Sequence, residues 1–137
     1  MDGSRWIKIR NTLTMNIFKI IPLDVYGHDI VVSIGQSDDD LYEHIQENIP
    51  RKQFDKHMAN QKSIATTHKL KTGAILIRFK DNIDDVGIVA HEALHAVVFL
   101  FKKIGIDFVY ESEEAYAYTL EYLTNQILKI KTDENNN

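Results

Sequence analysis

Two histidines and a glutamate carry the clearest chemical signal in the sequence. They are His91, Glu92 and His95, in the run His-Glu-Ala-Leu-His. On a helix, residues four apart project from the same face, so both imidazoles can bind one ion at about 2.0–2.1 Å. Glu92 lies about 100° further round the helix, beside the ion rather than on it. The spacing predicts a zinc site at which Glu92 accepts a proton from a metal-bound water.

The segment around this motif is strongly apolar, which indicates a buried helix over residues 86–103. His91, Glu92 and His95 are its only ionisable residues ahead of two terminal lysines. An alternative is that the histidines are core residues, hydrogen-bonded to the backbone or to each other. That alternative gives Glu92 no role, so the metal site is the preferred interpretation.

Composition limits the classes of function. The 137 residues are enough for one domain with a real core, and the net charge of −4 gives no reason to expect nucleic acid as a partner. No cysteine is present, so zinc would be bound by His, Asp or Glu. No apolar run approaches the ~20 residues that span a bilayer, and the N-terminus does not resemble a signal peptide. We therefore expect a cytoplasmic protein that does not bind membranes.

Charge is distributed unevenly along the chain. Residues 51–80 hold eight Lys or Arg and one acid, whereas residues 81–137 hold eleven acids and four bases. The simplest interpretation is that these residues form solvated faces of a hairpin and a helix. A basic rim that attracts an acidic polypeptide or a nucleic acid is the alternative, although no aromatic residues alternate with the basic ones as nucleic-acid binding would favour.

The sequence pattern predicts an α+β fold with a small antiparallel or mixed sheet. The expected strands form two hairpins and cover residues 16–21, 29–34, 63–68 and 73–79. The expected helices cover residues 38–48, 53–60, 86–103 and 113–131. The sheet should pack on the motif helix and the C-terminal helix of a single domain covering residues 1–131. Residues 1–13 fit either an irregular arm or a short strand, and residues 132–137 a disordered tail.

Individual residues mark the ends of these elements. Ser37 and Ser112 are expected to cap the helices that follow them. Pro22 is expected to end the first strand, and Gly105 to end the motif helix.

A catalytic zinc needs a third protein ligand and an open position for water. The metzincin arrangement places a Gly three residues and a His six residues after the second histidine. Here those positions are Val98 and Phe101, which excludes that class. An acid from the next helix is the alternative, and Glu113 and Glu114 begin that helix. Position alone leaves both residues open as ligands or as first-turn acids that stabilise the helix dipole.

The motif, together with Glu-Glu-Ala-Tyr-Ala-Tyr at residues 113–118, resembles the gluzincin branch of the zincin metallopeptidases. It is most similar to small zincin-like proteins encoded by bacteriophages, and more distantly to compact metallopeptidases that cleave phage repressors. In those families the third ligand is a Glu followed by two residues, then Ala, then Asn or Tyr. The resemblance implies Glu114 as the ligand, with Glu113 as the alternative.

The resemblance covers about residues 63–125 and implies a compact zincin-like domain that hydrolyses peptide bonds with narrow specificity. For a phage-encoded protein it implies the cytoplasm of a bacterial host, and a polypeptide substrate or protein target. Strand 73–79 would be the edge strand that pairs with an extended substrate.

One position departs from the family pattern. Many gluzincins have an Asp four residues after the third ligand, and here that position is Tyr118. Tyr118 and His68 are candidates for a supporting hydrogen bond or for binding the oxyanion. A zinc-binding protein without turnover, which occupies a host protein, is therefore the alternative function.

Overall fold

The computed structural model describes residues 15–83 and 85–135, with side chains described as far as residue 130. In this part of the chain the protein has an α+β fold, as predicted. The strands are β1 (Ile17–Leu23), β2 (His28–Ile34), β3 (Ala65–Lys69) and β4 (Ile75–Phe79). The helices are α1 (Asp38–Ile45), α2 (Arg51–Asn60), α3 (Val86–Ile104) and α4 (Glu113–Asn135). The predictions for residues 1–13 lie outside the described residues.

The four strands form one mixed sheet in the order β1-β2-β4-β3. Both predicted hairpins are confirmed, because β1 pairs antiparallel with β2 and β3 pairs antiparallel with β4. The two hairpins join through a parallel pairing of β2 with β4. Strand β4 is thus hydrogen-bonded on both sides, and the prediction that residues 73–79 form an edge strand is wrong. Among the described strands, the edge on that side of the sheet is β3.

Both faces of the sheet are covered, which is why β2 and β4 are nearly continuous apolar runs. Helices α3 and α4 pack on one face against alternate strand residues that include Ile30, Val32 and Ile77. Helices α1 and α2 pack on the other face, where Val31 and Leu76 join a smaller apolar cluster. The motif helix therefore lies on a different face of the sheet from the basic helix α2.

The expected strand end at Pro22 is wrong, because β1 continues to Leu23. Pro22 lies opposite Asp29 on an edge strand. Proline has no N–H to donate, and an edge strand accommodates that loss on its solvent side.

Helix ends follow the sequence signals in most cases. The Ser37 hydroxyl accepts the Asp40 N–H at 3.1 Å, which confirms the predicted cap. Gly105 adopts a left-handed conformation, with φ of 81°, and closes α3 as predicted. Helix α4 continues to Asn135, past the predicted end at Lys131, and the last two residues of the predicted tail lie outside the described residues.

Ser112 has a different role from the predicted one. Its hydroxyl donates to the Asp107 carbonyl and accepts the Val109 N–H at 3.0 Å, both within the segment that joins α3 to α4. This segment includes a short 3-10 turn over Tyr110–Ser112. Ser112 therefore organises the connection between the two helices.

Candidate metal centre

The motif helix α3 is buried along one face and exposed along the other. Val89, Ala93 and Val97 are fully buried, whereas Leu94 and Val98 are 47% and 41% exposed. The prediction of a helix buried nearly all round is therefore wrong. Apolar residues alone did not indicate which side faces solvent, because the two faces differ little in composition. His91 and His95 lie on the exposed side.

The start of α3 is fixed by a side-chain cap. The Asp85 carboxylate accepts the Gly87 N–H at 2.7 Å, which satisfies one of the free backbone donors of the first turn. Lys102 and Lys103 occupy the last turn, where positive charge is favourable. The two histidines thus lie in the regular middle of a 19-residue helix.

The two imidazoles are separated by a distance that suits a shared ion. The Nε2 atoms of His91 and His95 are 3.3 Å apart, and the rings meet at 73°. Two ligands that each lie about 2.0–2.1 Å from a tetrahedral ion are about 3.3–3.4 Å apart. The same 3.3 Å also allows one neutral imidazole to donate a hydrogen bond to the other. The separation of the two Nε2 atoms therefore suits a shared metal ion as well as a hydrogen bond between the rings.

Glu92 projects to the buried side of the same turn and is only 6% exposed. The Thr67 hydroxyl donates to its Oε1 at 2.8 Å and also lies 3.2 Å from its carbonyl oxygen. The other carboxylate oxygen, Oε2, is 3.8 Å from Nε2 of His91. Thr67 on β3 thus fixes one oxygen of the carboxylate while the second faces the imidazoles.

Sequence reasoning did not identify Thr67. Its neighbour Thr66 is the same residue type, and only the strand register distinguishes them. Side chains alternate along a strand, so Thr67 faces α3 while Thr66 and His68 face the opposite side. Nothing in the sequence around Thr67 distinguishes it as a residue that would contact the motif.

His91, Glu92 and His95 form a group whose ligand atoms all lie within 4.8 Å of one another. Among the described residues, no other group of three or more potential ligands meets this criterion. Glu113 and Glu114 do not belong to the group, and both are exposed in the first turn of α4. The role of Glu114 as a ligand stays a prediction.

The packing of α4 on α3 indicates where those acids lie. The Tyr116 ring packs edge-on against Phe101 at 4.5 Å, and its hydroxyl donates to the Ile106 carbonyl at 2.6 Å. Phe101 follows His95 by six residues, which is about 9 Å along a helix axis. Tyr116, in the first turn of α4, therefore packs near the C-terminal end of α3.

The two candidates for a supporting role lie elsewhere. His68 projects to the other face of the sheet, where its ring packs edge-on against His57 at 5.2 Å. Burial, followed by the nearby His57 and Arg78, lowers the pKa of His68 to about 4. Tyr118 is 67% exposed and lines a cavity beside the β1–β2 turn with Tyr26. Neither residue belongs to the group around His91.

A cleft opens beside the candidate centre. A cavity of about 310 Å³ lies between the start of β3 and the first turns of α3, and His91 and Glu92 contribute to its wall. Ala65 of β3 and Ile88 of α3 also line it. A ligand in this cleft would contact both the edge strand and the buried carboxylate.

Comparisons with protein-family models, with curated proteins and with solved structures return no match for this chain. In the described part of the chain, no helix is both long enough and apolar enough to traverse a membrane. The chemistry inferred for the centre therefore comes from its own side chains and their distances.

Proposed function

We propose that the protein is a zinc-dependent metallopeptidase. The observation that carries this proposal is the 3.3 Å separation of the two imidazole Nε2 atoms, with a buried carboxylate in the adjoining position. Two nitrogen donors at tetrahedral spacing are typical of zinc, and an adjacent carboxylate is what water activation requires. The resemblance of the motif to gluzincins supports the same assignment.

Each residue has a distinct role in the proposed reaction. His91 and His95 hold the ion through Nε2. The zinc ion, when bound, supplies a Lewis acid that lowers the pKa of a coordinated water towards about 7. Glu92, fixed at Oε1 by Thr67, accepts the proton of the attacking water and returns it to the leaving amine nitrogen.

The substrate would lie along β3 and not along residues 73–79. Within the described part of the chain, strand β3 has a single neighbour in the sheet, so its outer backbone groups can pair with an extended peptide. Because Thr67 of β3 contacts Glu92, a peptide added to this edge would lie next to the catalytic carboxylate.

The third zinc ligand decides between this function and its alternative. If Glu114 takes that position, Glu92 stays free to act as the base. Within the described residues, however, Glu92 is the carboxylate that lies in the group with both imidazoles. A Glu92 that binds the ion cannot also activate water. This observation favours the second candidate function, a zinc-binding module that occupies a protein target without turnover.

Metal analysis of protein purified without added metal, combined with a proteome-wide cleavage screen, tests the proposal. We expect about one zinc per chain in the wild type and in Glu92→Gln. We expect cleavage products from the wild type only, with a loss of about 10²–10⁴ in rate in the variant. Equal cleavage by both proteins would remove Glu92 as the base.

Two other outcomes separate the alternatives. Zinc without cleavage by the wild type supports the binding module. Protein that contains no zinc, and takes none up when it is supplied, contradicts both functions. Zinc affinities of Glu114→Gln and Glu113→Gln are then compared to identify the third ligand. Only replacement of the residue that binds the ion should weaken zinc binding by more than about tenfold.

A further inference from the structure

The free edge of β3 presents a defined subset of its backbone groups. The Ile64 carbonyl accepts the Lys80 N–H, and the Leu70 N–H donates to the Ala74 carbonyl, both at 2.9 Å. These two bonds continue the pairing of β3 with β4 beyond each end of β3. In an antiparallel pair, alternate residues direct their N–H and C=O groups to the partner strand, and the residues between them direct theirs away from it. Ala65, Thr67 and Lys69 therefore present the free backbone groups, and Thr67 is the residue that contacts Glu92.

The end of this edge near Ala65 is apolar and acidic. A cavity of about 170 Å³ adjoins the cleft at the centre and shares Ile64, Ala65, Asp85 and Ile88 with it. Asp81 adds a second carboxylate to the smaller cavity. Among the described residues that line these two cavities, none is Lys or Arg. A side chain with an apolar stem and a positive charge suits this end.

The end of the edge near Lys69 is basic. A third cavity, of about 340 Å³, is lined by Phe99 and by three lysines, Lys69, Lys102 and Lys103. Phe99 connects it to the centre, because its ring lies 6.4 Å from that of His95. The Lys69 ammonium lies 5.0 Å from the centre of the Phe99 ring. Negative side chains suit this end, and the candidate centre lies between the two.

We infer that the cleft selects extended peptides by the order of their charges. The peptide pairs antiparallel with β3, with acidic residues in its N-terminal half beside the lysines and apolar and basic residues in its C-terminal half beside Asp81 and Asp85. Antiparallel pairing is the more common and slightly more stable arrangement of strands, and it fixes this order. The inference rests on the proposed function, since it defines the substrate class of the same site.

Binding of two blocked decapeptides tests the inference. Both contain two Glu, a central Leu and two Lys, one with Glu before Leu and Lys after it, the other with the charges exchanged. Fluorescence anisotropy with the Glu92→Gln protein measures binding without cleavage. We expect the Glu-first peptide to bind about 5–25-fold more tightly at low salt, and the preference to shrink above 0.1 M salt. Equal affinities, or tighter binding of the Lys-first peptide, would overturn the inference.

Charge-reversal variants locate the source of the preference. Asp81→Lys should reduce it about fivefold, and Lys102→Glu should have a similar effect from the other end. Glu43→Lys, on the exposed side of α1 and on the other face of the sheet, makes the same charge change away from the cleft and should leave the preference unchanged. A preference that survives Asp81→Lys and Lys102→Glu would contradict the inference.

This binding result does not depend on hydrolysis. If the protein cleaves no peptide but still prefers one charge order, the inference about charge order holds and the proposed peptidase activity is wrong. Cleavage of both peptides at equal efficiency would retain the peptidase and reject the charge-order selection.

Discussion

Two pairs of histidines in this molecule have nearly the same ring geometry and different surroundings. The rings of His91 and His95 are 4.9 Å apart and those of His57 and His68 are 5.2 Å apart, and both pairs meet at 73°. The first pair comes from consecutive turns of one helix. The second joins helix α2 to the edge strand β3 on the other face of the sheet.

The neighbours of each pair determine what it can do. Beside His91 lies the carboxylate of Glu92, an acceptor of protons and of metal ions. Between His57 and His68 lies the amide nitrogen of Gln61, which is 3.2 and 3.4 Å from their Nε2 atoms. An amide N–H donates to the nitrogen lone pair that a metal would need. Close imidazoles alone therefore do not make a metal site, and the adjoining polar group decides.

Replacement of single histidines should give the largest difference between the two pairs, measured as zinc affinity. We expect His91→Ala or His95→Ala to weaken zinc binding by more than about a hundredfold, because each removes one of the two proposed nitrogen ligands. His57→Ala and His68→Ala should leave zinc affinity within about twofold, since their lone pairs already accept hydrogen bonds. Competition titration with a chromophoric chelator measures all four. Loss of zinc in the second pair of variants would show that the amide does not protect that pair from metal.

The two adjacent threonines of β3 provide a smaller and sharper comparison. Thr67→Val removes the donor to a buried carboxylate, so we expect the free energy of unfolding to fall by about 1–3 kcal/mol. Thr66→Val removes a bond to His68, which retains the Gln61 amide, and should cost about 0.5–1.5 kcal/mol. Urea unfolding at neutral pH measures both. A larger loss in Thr66→Val would mean that the Glu92 carboxylate does not depend on Thr67.

The second pair of histidines also affects how stability depends on pH. Burial lowers the pKa of His68 to about 4 from its ordinary value of 6.5, so the unfolded chain binds this proton more readily than the folded protein. The imidazole of His68 therefore does not change the free energy of unfolding above pH 6.5. The free energy of unfolding decreases as the pH falls from 6.5 towards about 4.

We expect the His68 contribution to be about 1–2 kcal/mol, after allowance for partial solvent screening. Urea unfolding at several pH values measures it. His68→Gln should flatten the dependence in this range, while His28→Gln on β2 serves as the matched control. An unchanged slope in His68→Gln would show that another group is responsible.

Local features of this fold could be predicted from sequence, and features set by distant partners could not. The motif helix, its end at Gly105 and the Ser37 cap depend on residues within a few positions of each other. The edge position of β3 depends on which strand pairs with β2, and the hairpins alone did not determine that choice. The contact between Thr67 and Glu92 joins residues 25 positions apart and follows from the register of β3 on α3. The exposed side of α3 was missed for the same reason.

The open edge of β3 has a consequence for how this protein behaves in concentrated solution. An exposed strand edge that can pair with a peptide can also pair with the same strand of another molecule. Such pairing is the first step of edge-to-edge aggregation. Here the strand is only five residues long and ends at Lys69, a charged residue of the kind that disfavours pairing at an exposed edge. Short length and a terminal lysine are the devices by which natural sheets keep an exposed edge from polymerising.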